Sequence, residues 1–350
     1  MQSEPWKEAP ECVAQSSEMW VPPETEWNPR ELKGGLVWSL LQVETDSGLD
    51  EFKDFLDKHY VRGDKFRLEY SKVVLRGAIM PPGFKKRWHV AVRAPRGKLV
   101  ATVTAVPQDM AFEGRGVKKV AIINFLCVHA KLRHKRLAPV LIQEVARRIA
   151  QRQVWVAIYT AVAALPRPIA SPVYMHLPVD VKHLKQAGFL PQHMRIPKSK
   201  QNRLLKKVES KDIPILLQHY QTFIDKTKPT IACHFDHTNF KHELIGTHKF
   251  ALATQDLHNV AAFLIITSKS DTTHFKAAYL THIVCNSIPP HTFIQHIQHS
   301  HLLHTTHLLN LLRSTIHTTQ HTLLHSHTPL HFFLYNTHAQ HTHFLPFAFT

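Results

Sequence analysis

Val117 to Arg152 reads V-K-K-V-A-I-I-N-F-L-C-V-H-A-K-L-R-H-K-R-L-A-P-V-L-I-Q-E-V-A-R-R-I-A-Q-R. Its first third, Val117 to Val128, is a long β-branched run of the kind that forms a buried strand. Its last third, from Ala138 to Arg152, puts Val140, Leu141, Val145 and Ile149 on one helical face, with Pro139 at the start, where a missing N–H costs nothing. Between them lies a basic turn. Strand, basic turn and helix in that order can gather the free amides of a helix start with the charges of Arg133, Lys135 and Arg136, a set that suits a pyrophosphate. Coenzyme A or a nucleotide fits this chemistry. A solvated basic turn fits the same spacing, and spacing alone does not separate the two.

Outward from this stretch the elements are mixed. Arg87 to Arg93 (R-W-H-V-A-V-R) and Lys98 to Val106 (K-L-V-A-T-V-T-A-V) read as two strands joined by a turn at Pro95 to Gly97, and Gln153 to Ala164 reads as a third. Leu49, Phe52, Phe55, Leu56 and Tyr60 have helical spacing, and Gly63 ends that helix. The class is α/β. Residues 1 to 50 carry Pro5, Pro10, Pro22, Pro23 and Pro29 among four tryptophans and read as an extended arm. The basic run Ile196 to Lys211 marks a boundary between two halves, because 350 residues exceed what one core usually fills.

Composition narrows the class further. An apolar share of 44% is that of a globular chain. Met1 to Pro10 is polar and acidic, and no apolar run approaches the ~20 residues of a membrane span, so the expected location is the cytoplasm. Cys12, Cys127, Cys233 and Cys285 are scattered, which predicts four free thiols. The formal charge of +17 draws polyanions: nucleic acid, ribosomes, an acidic membrane face or a polyphosphate cofactor. Of 29 histidines, 22 lie from His219 onward, and no glycine follows Gly246, so the turns of the last hundred residues must come from Pro, Asn and Thr. The spacing of His296, His299, His301, His304 and His307 would place imidazoles on one helical face. With no carboxylate after Asp271 to support them, the expectation is no metal site.

The segment Ile122 to Ala130, I-I-N-F-L-C-V-H-A, resembles the N-myristoyltransferase family, whose signature is E-I-N-F-L-C-x-H-K; the first and last positions differ. The likeness continues through Pro81-Pro82-Gly83-Phe84, Trp88-His89, Val92-Arg93, Lys98-Leu99-Val100, Ala138 to Ile142, Tyr159-Thr160-Ala161 and Leu165-Pro166, covering about residues 36 to 196. It implies two tandem halves like the GNAT acyl-CoA N-acyltransferases, with mixed, largely antiparallel sheets flanked by helices. Residues 1–48 would be an arm closing over acyl-CoA through Trp6 and Lys7, residues 49–200 the acyl-CoA half, and residues 201–350 the peptide half. The implied reaction moves a myristoyl group from myristoyl-CoA to the N-terminal glycine of nascent or cleaved proteins, with no further cofactor, in a monomer.

The same resemblance assigns residues. The amides of Phe125 and Leu126 would form an oxyanion hole, with Cys127 and Val128 beside the coenzyme. Arg133, His134, Lys135, Arg136, Leu137, Ala138 and Pro139 would hold its phosphates, His134 standing where the family has serine. Asn124 and Thr160 would orient the amine, and Phe66, Leu68, Tyr70, Tyr159, Tyr174 and His176 would line the peptide groove. The base would be the α-carboxylate of Thr350. In its support, Leu330 to Asn336 (L-H-F-F-L-Y-N) resembles the family's L-x-Y-Y-L-Y-N, and no other anion follows Asp271. Three departures stand against full likeness. Val162 replaces a glycine, Met175 replaces a groove tryptophan, and Leu323 to Pro329 replaces K-F-G-x-G-D-G. The alternatives are a weakly active acyl-CoA-binding relative, an acetyl-transferring enzyme of the same superfold, and a nucleic-acid- or ribosome-binding protein using the Lys198 to Lys211 run.

Overall fold

The computed structural model describes residues 28–60, 65–162, 165, 167–195, 202–270, 273–303, 305–312, 324–326 and 329–335. Trp6, Lys7, Cys12 and Thr350 lie outside them. The first part of the chain forms β1 (Val37–Leu40), α1 (Asp46–His59), β2 (Arg67–Glu69), α2 (Lys72–Ile79), β3 (Val90–Arg93), β4 (Leu99–Phe112), β5 (Gly116–Val128), α3 (Leu137–Ala150), β6 (Val156–Ala161), β7 (Tyr174–Pro178) and α4 (Val181–Gln186). The second forms β8 (Leu205–Lys207), α5 (Ile213–Thr227), β9 (Ile231–Cys233), α6 (His237–Leu244), β10 (Lys249–Thr254), β11 (Asn259–Lys269), β12 (His274–Cys285), α7 (Pro290–Gln298), β13 (Leu308–Leu312), β14 (Leu324–His325) and β15 (His331–Tyr335).

Local chemistry accounts for the element bounds. α1 begins before the apolar pattern does, because the Thr45 hydroxyl accepts from the Gly48 amide at 3.1 Å and caps it. Arg87 and Trp88 are not strand residues. They lie in a 3-10 turn, Lys86–Trp88, where the Trp88 indole is buried and donates to the Arg148 carbonyl at 3.2 Å. The histidine face expected from His296 to His307 does not form, since α7 stops at Gln298 and His301 lies in a separate 3-10 turn. The β10–β11 turn is built without glycine as expected. Leu257 takes the left-handed region at φ 62, while Asp256 accepts from the Thr254 hydroxyl at 2.5 Å and from the His258 amide at 3.0 Å. Cys127, Cys233 and Cys285 are free thiols.

There are two sheets, β1-β3-β4-β5-β6-β15 with β9 on β4, and β14-β7-β13-β12-β11-β10-β8 with β2 on β11. Each holds a long antiparallel hairpin, β4–β5 or β11–β12, then a helix, then a strand parallel to the hairpin's second arm: β5-α3-β6 and β12-α7-β13. The two sheets then trade strands. β7 pairs β13 and β15 pairs β6, so each sheet is completed by the other half of the chain. An apolar core accordingly mixes Val106, Ile122 and Ile158 with Leu216, Tyr220, Phe240 and Ala262.

α2 also docks across the division. The His242 ring shares a hydrogen bond with the Gly77 carbonyl at 3.0 Å, and a Cβ at Gly77 would come within 2.1 Å of the His248 ring. This close approach explains a glycine inside a helix, where it costs about 1 kcal/mol relative to alanine. The ring nitrogens of His248 and His282 are buried without hydrogen-bond partners. Burial, chiefly, pulls both down from 6.5 to about 4. Between those values the unfolded chain binds protons that the folded chain refuses. Stability is therefore complete above pH 6.5 and falls as pH drops toward 4. The urea midpoint should decline across that window, and His282→Phe should make the decline shallower; equal slopes for both proteins would contradict this account.

Candidate functional site

The site starts from a slip in the β4–β5 hairpin. Thr102 faces Cys127 and Thr104 faces Asn124, so Phe125 and Leu126 together oppose Val103. This is a β-bulge. Phe125 sits at φ 51, a region that costs a non-glycine residue about 1–3 kcal/mol. Its ring is 1% exposed and lies in a cage: Phe52 edge-on at 5.7 Å, Tyr70 edge-on at 5.5 Å and Tyr60 tilted at 5.7 Å. Three such contacts at about 0.5–1.5 kcal/mol each are enough to hold the strained backbone. The Thr102 and Thr104 hydroxyls donate to the Phe125 and Asn124 carbonyls at 3.1 and 3.0 Å. Burial pushes the Tyr60 hydroxyl up to about 12, against a hydrogen bond from the Phe125 backbone.

The bulge also opens the sheet. Parallel pairing of β5 with β6 ends at Ile123–Tyr159, so Asn124 to Val128 leave the side of Thr160, whose other edge pairs with Phe332 of β15. A crevice thus forms where the two strands part, with half-buried Asn124 and Thr160 at its root. Cys127 is buried beside it. Burial pushes its thiol up to about 12, outweighing the opposing charge of Arg133, so it stays protonated and is a poor nucleophile.

β5 leads into the basic turn. The His129 ring accepts from the Lys131 amide at 3.2 Å and caps the 3-10 turn Ala130–Lys135. Arg133 spends donors on the His59 and Val128 carbonyls, at 2.5 and 3.4 Å, and ties the turn to the end of α1. His134, Lys135 and Arg136 are exposed. Arg136 takes the left-handed conformation, φ 54 and ψ 30, immediately before α3 and provides no side-chain cap. The amides of Leu137 and Ala138 therefore start a helix with no side chain to accept from them, and Pro139 has no N–H to satisfy. Uncapped amides with cations beside them are a site for an anion.

Across the crevice lies an aromatic and amide-lined wall. The His176 ring shares a hydrogen bond of 2.7 Å with the Asn310 side chain, which is 3% exposed and also bonds the Tyr279 hydroxyl. Tyr174 meets Tyr279 edge-on at 5.6 Å. Phe66 and His176 both pack on Phe189, at 5.9 and 5.7 Å, and Phe66 meets Phe275 at 5.3 Å. Leu68 packs with Tyr60 and Tyr279 around the cage cluster, and Tyr70 belongs to it. Tyr159 lies flat on Phe333 at 5.1 Å, in the other sheet from Tyr174, His176 and Tyr279. Phe189, Phe275 and Asn310 had no local signal, since they meet His176 and Phe66 only through tertiary pairing. Met175 is not a groove residue. Strand alternation sends it into the apolar core, 1% exposed, while Tyr174 and His176 face the wall.

Among the described residues, Asp180, His183 and His307 form a group whose candidate metal-ligand atoms lie within 4.8 Å. The carboxylate comes from the first half of the chain, which reading the second half alone could not supply. One atom of each is already engaged. Asp180 accepts from the His183 amide at 3.0 Å, His183 Nε2 donates to the His274 carbonyl at 2.8 Å, and His307 Nδ1 accepts from the Lys276 amide at 2.8 Å. The two rings stack at 4.0 Å and 17°, so their in-plane lone pairs run side by side and do not converge on one ion.

A model of the N-terminal domain of myristoyl-CoA:protein N-myristoyltransferase matches residues 18–172. Glycylpeptide N-tetradecanoyltransferase of Emericella nidulans is 41% identical over 214 residues, covering 56% of this chain and 43% of its own length. Glycylpeptide N-tetradecanoyltransferase 1 of Arabidopsis thaliana is 33% identical over 281 residues, covering 73% of this chain and 64% of its own. The chain spans about half the length of the curated relatives it matches. In fold it is similar to Saccharomyces cerevisiae N-myristoyltransferase crystallised with myristoyl-CoA, with a TM-score of 0.79 at 24% identity over 89% of this chain and 85% of that one. A GCN5-related N-acetyltransferase from Anabaena variabilis shares the fold at a TM-score of 0.50 and 11% identity, over 85% of this chain and 72% of that one. With the bulge, the uncapped basic helix start and these relatives in hand, the chain belongs to the N-myristoyltransferase family.

Proposed function

We propose that the chain transfers a myristoyl group from myristoyl-CoA to the N-terminal glycine of other proteins. The observation that carries this reading is the left-handed bulge at Phe125, placed between an anion-ready helix start and a crevice with an aromatic wall. In this reading residues 1–48 close over the acyl-CoA through Trp6 and Lys7, residues 49–200 bind it, and residues 201–350 bind the peptide. Leu137 and Ala138 amides with His134, Lys135 and Arg136 take the coenzyme phosphates, and Arg133 braces the turn that presents them. Cys127 and Val128 flank the thioester, whose carbonyl oxygen accepts from the Phe125 and Leu126 amides as it gains negative charge. The glycine nitrogen, held by Asn124 and Thr160, attacks the carbonyl carbon directly. A C–N bond forms, the C–S bond breaks, and coenzyme A leaves as its thiol after taking a proton. Phe66, Leu68, Tyr70, Tyr159, Tyr174 and His176 hold the peptide that follows the glycine. The protein acts as a monomer in the cytoplasm and needs no further cofactor.

The base in this reading is the α-carboxylate of Thr350. β15 enters opposite Ala161 and leaves opposite Ala157, about 13 Å along the sheet. At about 3.4 Å per extended residue, Asn336 to Thr350 can span that distance back to the crevice.

Three measurements test the proposal. Lys135→Ala combined with Arg136→Gln should weaken myristoyl-CoA binding at least tenfold by calorimetry, since a charge-assisted hydrogen bond contributes about 1.5–3 kcal/mol. Unchanged affinity would remove the phosphate assignment. Cys127→Ala should keep transfer within a few-fold of the native rate, and no acyl-cysteine should appear by mass spectrometry in single turnover; a trapped thioester on Cys127 would replace direct attack with a covalent route. Residues appended after Thr350 should slow single-turnover transfer about 10²- to 10⁴-fold with coenzyme affinity unchanged, the usual cost of losing a general base. Equal rates would rule out the terminal carboxylate.

A further inference from the structure

α3 carries the phosphate turn at its N-terminus, and its C-terminal end, about 20 Å away by helix rise, carries a second basic surface. A concavity of about 430 Å³ is lined there by Phe84, Lys85, Arg87, Arg148, Gln151 and Arg152 among others, with no acidic residue in its wall. The carboxylates nearby are committed elsewhere. Glu44 pairs with Lys86. Glu144, 2% exposed, holds Arg147 at 2.8 Å and Arg148 at 2.6 Å from beneath. Arg148 is fixed further by its donation to the Arg87 carbonyl at 3.0 Å, and the Trp88 indole donates to the Arg148 carbonyl. The floor of the concavity is thus rigid. Lys85, Arg87 and Arg152 are exposed and make no ion pair among the described residues.

Cations at a helix C-terminus offset its partial negative charge, which accounts for Arg148 and Arg152. It does not account for Lys85 and Arg87, which a separate segment brings to the same hollow. Phe84, half-buried, also lines it and lies parallel to the His89 ring at 6.0 Å and 8°. Unpaired cations around a hollow with an aromatic ring in its wall suit phosphates joined to flat bases. A membrane surface is flat and would not enter it, and among the described residues no exposed large apolar side chain lines it.

We propose that this concavity binds single-stranded nucleic acid, with phosphates on Lys85, Arg87 and Arg152 and a base against Phe84. The site is separate from the acyl-CoA turn and does not depend on the transferase reading. The test is fluorescence anisotropy with a labelled oligouridylate of about 12 nucleotides, a length one such site can engage. The charge reversal Lys85→Glu, Arg87→Glu, Arg152→Glu should weaken binding at least tenfold. It should also reduce the slope of log affinity against log salt by about 2, as expected for three lost phosphate contacts on a single strand. A charge-matched control, Lys207→Glu, Lys226→Glu, Lys241→Glu, should change both far less. Phe84→Ala should weaken binding about tenfold while keeping the slope. Thermal melting confirms that each variant is folded. No binding by the native protein, equal losses in the reversal and its control, or loss of binding to acidic-lipid vesicles with RNA binding intact would each overturn the proposal.

Discussion

One extra residue in β5 organises the site. Because Phe125 and Leu126 share a single partner on β4, the strand turns, pairing with β6 stops at Ile123, and the Phe125 backbone hydrogen-bonds the Tyr60 hydroxyl. The conformation this demands of Phe125 is unfavourable for any side chain, so the surroundings must fix it. Glycine would relieve the strain but give up the ring. A buried phenylalanine whose ring is held by Phe52, Tyr60 and Tyr70 keeps the backbone in one place. The cage draws on α1 and on the segment around β2, and β2 pairs with β11 of the second sheet. The site therefore depends on both sheets being assembled.

The exchange of final strands makes that assembly obligatory. Were β7 paired with β6 and β15 with β13, each half could close its own sheet and the two could drift apart. With β15 on β6 and β7 on β13, neither sheet is complete alone, and the mixed core forms only when both are present. The arrangement also explains how one aromatic wall can be made from distant segments. His176 and Tyr174 come from β7, Asn310 from β13 and Tyr279 from β12, three adjacent strands of one sheet drawn from both parts of the chain.

What sequence could reveal follows from whether a signal is local. The β5-α3-β6 order, the basic turn and the helix face were legible because each depends on neighbours within a few residues, and Leu141, Val145 and Ile149 are buried as the spacing required. The bulge was legible only through resemblance, since nothing in I-N-F-L-C marks Phe125 for a positive φ. The strand exchange was not legible, because pairing of Thr160 with Phe332 leaves no local pattern in either segment. The 3-10 turn at Lys86–Trp88 and the end of α7 were misread for a shared reason: side-chain alternation or spacing was counted where tertiary contacts and chain breaks decide. Asn310 stayed hidden as a polar residue inside an apolar strand, L-L-N-L-L, until the hydrogen bond to His176 gave it a partner.

The departures from the family pattern are unevenly placed, and their placement bears on what has changed. His134, which stands where the family pattern has serine, is exposed on the basic turn before α3. Met175 points into the core, so replacing a larger ring there is a question of packing in the second sheet and not of contact with a peptide. Val162 is 56% exposed just beyond β6, at the mouth of the crevice, and adds bulk where a glycine would leave room. The histidine-rich second half keeps an apolar run through the middle of β11, Val260 to Ile266, while β12 carries a buried histidine at His282. The bulge at Phe125, its aromatic cage and the uncapped start of α3 all lie in the first part of the chain. The departures at Val162, Met175 and Leu323 to Pro329 lie outside that set.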